Sequence, residues 1–397
     1  MAENREKRLP PGITLRKDGR YQARYTLNGK RYTIYGKNLK EIQKKLRDVK
    51  YEIDHGIYAK PERITVDSWY KTWVKVYREN IVRETTLIGN KKCYQHIKAE
   101  IGNMKIQSVR PEHIQGVLNK MKQQGYSRGY IKRTRMTMNM IFRQAYMNGI
   151  IVTNPVSKSI LPQMEEKENP HRRALTEQEQ RLFLECAEKR KPFYANIFFV
   201  GFSTGMRIGE INALEWKDVD FKKLEIHVTG TMIKVPGKEY RKGTVKTESS
   251  RRTIPLLPEI AKRLRKHKVE QAKLRMMMGD KWEPVKGLEN LVFTTMFGKP
   301  LMTLSVGRYI DSTVNAINRA EEKRAVAEHR KPVFMETFCP HSMRHTFATR
   351  ALEKGIPPKV VQSYLGHSTI DITMNIYTHV TAELEKEEIK KLAKQFG

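Results

Sequence analysis

The tightest constraint on how this chain folds is a dipeptide. Asn28-Gly29 sits between YQARYTL and KRYTIY, two stretches that alternate apolar and polar residues. Asn-Gly accepts the positive φ angles of a type I′ turn, whose twist matches that of paired antiparallel strands. A two-residue loop also fixes register, so Tyr25 faces Tyr32 and Ala23 faces Ile34. Successive strand side chains point to opposite sides. Tyr21, Ala23, Tyr25, Tyr32 and Ile34 therefore share an apolar face, and Gln22, Arg24, Thr26, Arg31, Thr33 and Tyr35 share a polar, basic one. The next segment, NLKEIQKKLRDVKYEID, offers Asn38 and Glu41 as a capping box. Its Leu39, Ile42, Leu46, Val49 and Ile53 recur at helical spacing, which predicts a helix that covers the apolar face.

The basic face stays open, and a two-stranded ribbon fits the DNA major groove. Arg24 and Arg31 stand where such a ribbon would read bases, though a solvated sheet face would look the same in sequence. Residues 1–60 hold 16 Lys and Arg against 7 Asp and Glu, and the whole chain of 397 residues carries a formal charge of +33. An excess of that size draws a protein to a polyanion, usually nucleic acid. No run of 18 apolar residues occurs, and MAENREKRLPPG lacks the apolar stretch of a secretory signal. Cys93, Cys186 and Cys339 are far apart, fit no zinc spacing and are odd in number. They read as buried thiols of a reduced, cytoplasmic protein.

Periodicity changes after the first sixty residues. Over 64–155 the pattern is helical throughout. Val66, Trp69, Trp73 and Val76 space as one buried face, and SRGYIKRTRMTMNMIFRQAYMNG places Ile131, Met138, Ile141, Phe142 and Ala145 on another. Its methionines read as core filler. Arg128, Lys132, Arg133 and Arg135 crowd the first half of that helix, as a phosphate-contacting face or as a solvated flank. Asn154-Pro155 breaks the pattern, and 156–173, with Pro162 and Pro170, has the composition of a linker. Thr176 and Glu179 then form a second capping box, and the remainder mixes helices with short strands near 224–255.

Four segments of this last part carry chemistry: STGMRIGEINALEW (203–216), TVKTESSRRTIPL (244–256), PHSMRHTFATRALEKG (340–355) and YLGHSTIDITMNIYTHV (364–380). Arg207 lies among small and apolar residues, where a charge is costly unless paired. Glu210 could pair with it, or its fork could hold two phosphate oxygens. Lys246 lies in a polar turn, where most lysines are merely solvated. His341, Arg344 and His345 share one side of a helix, which could grip an anion and move a proton. His367 follows a Leu-Gly turn, and Tyr377 lies ten residues later, a position that packing alone could explain.

Taken in order, TGMRIGE, the VKT turn, HSMRH and LGH with its following tyrosine resemble the tyrosine recombinase family over 174–397. Residues 64–155 resemble that family's core-binding domain, and the first sixty resemble the arm-binding domain of phage and conjugative-transposon integrases. The resemblance implies an α+β multidomain fold. A small β-sheet plus helix arm-binding domain would span 1–63, an all-helical core-binding domain 64–156, a linker 157–173, and a mainly helical catalytic domain with a small β-sheet and a tail helix 174–397. It implies Tyr377 as nucleophile, Arg207 and Arg344 on the non-bridging oxygens of the scissile phosphate, Lys246 as acid to the leaving 5′ oxygen, His341 as acceptor of the tyrosine proton and His367 as a phosphate hydrogen-bond partner. Glu210 and His345 would support them.

The chemistry accounts for these residue types. Two arginines neutralise charge that builds on phosphate oxygens in the transition state. An acid beside a poor leaving group contributes about 10²–10⁴-fold. A phosphotyrosine bond keeps the energy of the DNA backbone, so no ATP is needed. No carboxylate cluster suited to two metals lies among the motifs, so no metal or other cofactor is expected. The expected partners are duplex DNA at crossover and arm sites, other copies in a tetramer joined by exchange of the tail helix, and an excisionase or host DNA-bending protein, in a bacterial cytoplasm on the nucleoid. The tail, TAELEKEEIKKLAKQF, has Thr381 as a cap and Ile389, Leu392, Ala393 and Phe396 as a short apolar stripe. A topoisomerase of the same chemistry and a non-catalytic DNA-binding regulator remain as rivals.

Overall fold

The computed structural model describes residues 9–27, 30–54, 64–164, 173–244, 251–371, 373, 374 and 376, with the backbone alone at 27, 30, 51–54 and 244. The Asn28-Gly29 turn, Lys246, Tyr377 and the tail lie outside the described residues. The chain divides into two units, residues 1–166 and 167–397.

The first unit begins with the antiparallel sheet β1 (Ile13–Leu15), β2 (Tyr21–Leu27) and β3 (Lys30–Gly36), in that order. Tyr25 pairs with Tyr32 and Ala23 with Ile34, as a two-residue loop requires. The two tyrosine rings stack at 5.6 Å. Strand β1 was not expected, because three residues are too few for a period to show. Helix α1 (Leu39–Asp54) lays Ile42 and Leu46 on Ala23, Tyr25 and Ile13. Its cap differs from the expected box. Asn38 Oδ1 accepts from the Glu41 N–H at 2.8 Å, but the Glu41 carboxylate accepts from the Lys37 N–H instead of returning to Asn38.

Four helices complete this unit: α2 (Val66–Tyr77), α3 (Glu84–Ile101), α4 (Pro111–Gln123) and α5 (Arg128–Met147). Ile131, Met138, Ile141, Phe142 and Ala145 of α5 are fully buried, and the indole of Trp69 donates to the Ile141 carbonyl at 3.0 Å. Val76 departs from the expected stripe and is exposed. It lies at the edge of the arc set by Val66, Trp73 and Tyr77 in the helix's last turn, and Tyr70 and Val74 are buried instead. Met138 fills core as expected, but Met136 and Met147 project into solvent.

Part of the expected linker is packed. Leu161 and Met164 lie against the helical core, and the guanidinium of Arg135 donates to Ser159 Oγ and to the carbonyls of Ser159 and Val156. Those donors tie α5 to the short 3-10 helix Pro155–Lys158 and to the Ser159 backbone just beyond it, which composition could not show.

The second unit contains α6 (Glu177–Arg190), α7 (Pro192–Thr204), α8 (Ile208–Ile211), β4 (Val219–Asp220), β5 (Glu225–Val228), β6 (Gly230–Lys234), β7 (Tyr240–Thr244), β8 (Arg252–Pro255), α9 (Pro258–Met278), α10 (Thr303–Ala327), α11 (Pro340–Glu353) and α12 (Pro358–Leu365). Strands β4, β5 and β8 form one antiparallel sheet, and β6 with β7 a separate hairpin. The Thr176–Glu179 box is complete, with both reciprocal bonds. A core of Phe183, Phe198, Phe202, Phe338 and Met343 joins α6, α7 and α11. Among the described residues no helix is long and apolar enough to cross a membrane. Cys93 is buried, whereas Cys186 and Cys339 are only half-buried; all three are free.

Candidate active site

Two helix ends build the site. Helix α7 stops at Gly205 (φ 61°) and α12 stops at Gly366 (φ 63°), both in the left-handed region that favours glycine. A Cβ on Gly205 would also stand 2.5 Å from Phe347 and 2.7 Å from Leu365. Each glycine turns its carbonyl toward an arginine. Arg344 donates through Nη1 to the Gly205 oxygen at 3.0 Å, and Arg207 through Nη2 to the Gly366 oxygen at 3.1 Å.

Arg207 stands just before α8 as its N-cap, and Glu210 three residues on reaches back to it. The carboxylate accepts from the Arg207 N–H at 3.0 Å and from Nη1 at 2.9 Å. Arg207 keeps 40% of its side chain exposed while Glu210 keeps 4%. Glu210 therefore pairs with Arg207, and it has a second partner that the sequence analysis did not single out. Arg252, at the start of β8, donates through Nη2 at 2.9 Å to Glu210 Oε2, which also accepts from the Arg207 N–H, and through Nε to the Tyr364 carbonyl. Burial works to raise the Glu210 carboxyl, but Arg252 and Arg207 outweigh it and hold it below the usual carboxylate range. The signal for Arg252 was its register in RRTIPL, where it shares a strand face with the buried Ile254 two residues on.

Arg344 lies on α11 and is 3% exposed. Its Nη2 has no hydrogen-bond acceptor among the described residues. Burial, and the charges of Arg207 and Arg252, push its pKa down to about 9. His367 follows Gly366, and its Nδ1 lies 2.9 Å from Thr373 Oγ1. Burial first, then Arg344, Arg207, His341 and His345, pushes it down to about 3, so its ring is neutral at physiological pH. His341 is exposed and His345 half-buried, with their rings edge to face at 4.8 Å.

The structure thus brings together Arg207, Glu210, His341, Arg344, His345 and His367. Lys246 and Tyr377 lie outside the described residues, though β7 ends two residues before Lys246 and Ile376 packs against the cluster of Ala348, Ala351, Leu352, Val361 and Leu365. In the first unit, Arg24 and Arg31 lie exposed on the open sheet face, and Arg128, Lys132 and Arg133 are exposed on α5. Arg135 is turned inward by its bonds to Ser159 and Val156.

Residues 173–383, more than half of the chain, match the family model described as phage integrase family, and 65–122 match that of the phage integrase N-terminal SAM-like domain. The chain belongs to the phage integrase family. This integrase is 30% identical over 356 residues to a tyrosine recombinase XerC-like protein of Caldanaerobacter subterraneus subsp. tengcongensis, covering 86% of this chain and 85% of that one. It is 23% identical to the transposase of transposon Tn916 from Enterococcus faecalis, over 99% and 96% of the two chains. Among solved structures, the Tn1549 transposon integrase bound to transposon right-end DNA superposes with a TM-score of 0.70 at 25% identity, covering 83% of this chain and 100% of that one. A lambda integrase tetramer on a Holliday junction shares the fold, with a TM-score of 0.55 at 20% identity over 94% and 96%. This integrase is a tyrosine recombinase that acts in site-specific recombination.

Proposed function

We propose that this integrase moves a mobile element, a conjugative transposon or prophage, by cutting and rejoining DNA through a 3′-phosphotyrosine bond at Tyr377. The observation that carries this reading is Arg344 Nη2. A guanidinium N–H that is deeply buried and unpaired is costly, and it lies beside Arg207 and Arg252, which repel it. A bound anion relieves all of these costs at once. A phosphodiester held by Arg207 and Arg344 is the anion that the family's chemistry supplies.

The roles follow. Tyr377 Oη attacks phosphorus and its proton passes to His341. The bond from phosphorus to the 5′ oxygen breaks, and Lys246 protonates that oxygen. The 3′ phosphate stays on Tyr377 until a 5′ hydroxyl attacks and restores the backbone. Neutral His367 serves as a hydrogen-bond donor if Nδ1 accepts from the Thr373 hydroxyl, since Nε2 then carries the proton. The arginines do the work a metal ion would otherwise do, and the phosphotyrosine bond removes the need for ATP.

We further propose that residues 1–63 bind arm sites through Arg24 and Arg31. Residues 64–156 would bind the crossover site with Arg128, Lys132 and Arg133 on phosphates. The active assembly is a tetramer linked by the tail, formed on the nucleoid in the cytoplasm and directed by an excisionase or host DNA-bending protein. The lambda integrase tetramer on a Holliday junction supports the assembly by analogy. The test is covalent trapping on a nicked duplex that carries the crossover site. The parent chain should form an adduct without metal or ATP, and Tyr377→Phe should form none. An adduct in the variant would transfer the role to another side chain.

A further inference from the structure

The cations of the site are tied together by one carboxylate. Glu210 accepts from Arg207 on one side and from both Nη atoms of Arg252 on the other, at 2.9 and 3.3 Å. Arg252 and Glu210 are 6% and 4% exposed, so this pair is screened from water, and its geometry is held tightly. The same guanidinium reaches a third piece of chain through Nε to the Tyr364 carbonyl. Two residues further on, the Gly366 carbonyl accepts from Arg207, and His367 follows. Arg252 therefore touches the partner of Arg207 and the turn that carries His367, while Arg207 itself touches both as well. The loop of contacts closes: Arg207 to Glu210, Glu210 to Arg252, Arg252 to the 364–366 turn, and that turn back to Arg207.

Charge supports a reason for the third guanidinium. Glu210 alone would neutralise Arg207 and leave the site a weak anion binder. Arg252 donates to both carboxylate oxygens and so shares the Glu210 charge with Arg207, whose fork is oriented without being cancelled. Arg207, Arg252 and Arg344 against Glu210 leave two positive charges around a neutral His367. A phosphodiester carries one negative charge in the ground state and approaches two when it is attacked. Preorganised charge of that size favours the transition state over the bound substrate.

We infer that Arg252 is a positioning residue of the recombination reaction: through Glu210 it sets the fork of Arg207, and through the Tyr364 carbonyl it sets the turn that carries His367. This inference rests on the phosphate-binding reading of the site. It touches no reacting atom, so its effect must pass through Arg207 and through the charge on the phosphate.

The test uses the full chain and single-turnover cleavage of a nicked crossover duplex by the parent, Arg252→Met, Arg207→Ala and the double variant. Arg252→Met should slow cleavage by about 10- to 100-fold, the range of coupling between residues in one ionic network. Affinity for the same duplex should change by less than about threefold, because remote phosphate contacts dominate binding. The double variant should be no slower than Arg207→Ala alone. A substrate with a neutral methylphosphonate at the scissile position should shrink the Arg252→Met defect, since less charge then needs holding. Arg252→Lys keeps the charge but cannot span both Glu210 and the Tyr364 carbonyl, and should fall between parent and Arg252→Met. It carries the same comparisons if Arg252→Met does not fold. Losses that multiply in the double variant, or an equal defect on the neutral substrate, overturn the role of Arg252 alone. An adduct that persists in Tyr377→Phe overturns the reading of the site instead.

Discussion

The helical part of the first unit and the site-bearing part of the second solve opposite problems. In the first, the inward face of α5 is mainly hydrocarbon, with Ile131, Met138, Ile141, Phe142 and Ala145 fully buried and the buried Thr134 and Thr137 hydroxyls bonded to carbonyls of their own helix, while Lys132 and Arg133 stay in water. In the second, Glu210, Arg252 and Arg344 are taken out of water, and Arg344 keeps an N–H without a partner. Burying hydrocarbon is favourable by about 25 cal/mol per Å². Burying ions costs several kcal/mol each unless pairing repays it. The first arrangement is what stability alone selects. The second gives up stability to hold charge ready for a phosphate, the trade expected at a reaction centre.

Substitutions can break or sharpen that contrast. Phe142→Ala empties a packed hydrocarbon site and should cost about 3–5 kcal/mol of stability. Denaturant unfolding should register the loss, while cleavage per folded molecule stays at the parent level. A matching fall in cleavage would mean that the helical core also tunes the chemistry.

Arg344→Met should do the reverse. Cleavage of the crossover site should fall about 10²–10³-fold, as when one preorganised donor is removed. The melting temperature should hold or rise, because a repelled buried charge is gone. A large drop in melting temperature would show that Arg344 stabilises the fold rather than the transition state.

Arg24→Ala or Arg31→Ala should cost about 1–3 kcal/mol of arm-site binding if the residue reads a base, with relaxed specificity at that position. A chain starting at Ile64 should lose arm binding and keep crossover cleavage. Loss of crossover binding with arm binding intact would reverse the assignment of the two parts.

Acid should expose the charge-burying unit selectively. His267 is fully buried between Asn196 and the Val292 carbonyl, and burial holds its pKa below the ordinary 6.5. His367 is pushed down to about 3. Both therefore bind a proton less readily in the folded chain than in the unfolded one, which takes up their protons as pH falls below 6.5. Their contribution to stability is complete above that pH and is lost as pH falls, by up to about 1.4 kcal/mol per pH unit for each proton. Melting curves between pH 5 and 7 on His267→Gln should show a shallower dependence than the parent. An unchanged slope would mean His267 is protonated in the folded state.

The smallest effect belongs to the exposed cations of α5. Lys132→Ala or Arg133→Ala should weaken crossover binding evenly across sequences and reduce the salt slope by about one each. An unchanged salt slope would place these residues away from phosphate.

Local order left its mark on the sequence wherever one element and its immediate neighbour sufficed. The Tyr25–Tyr32 register, the Thr176–Glu179 box and the buried stripe of α5 each depend on spacing within a few residues, and spacing is what a sequence records. The ordered motifs likewise mark Arg207, Glu210, His341, Arg344 and His367 in the sequence itself. What tertiary structure alone decided is which of these charges share a partner. Arg252 meets Glu210 across 42 residues and Tyr364 across 112, and Arg207 meets Gly366 across 159. The inward turn of Arg135 and the packing of residues 161–164 are of the same kind. Periodicity reports which face an element buries. It carries no information about which distant carbonyl or carboxylate will satisfy a buried cation, because that match exists only once the chain has closed on itself.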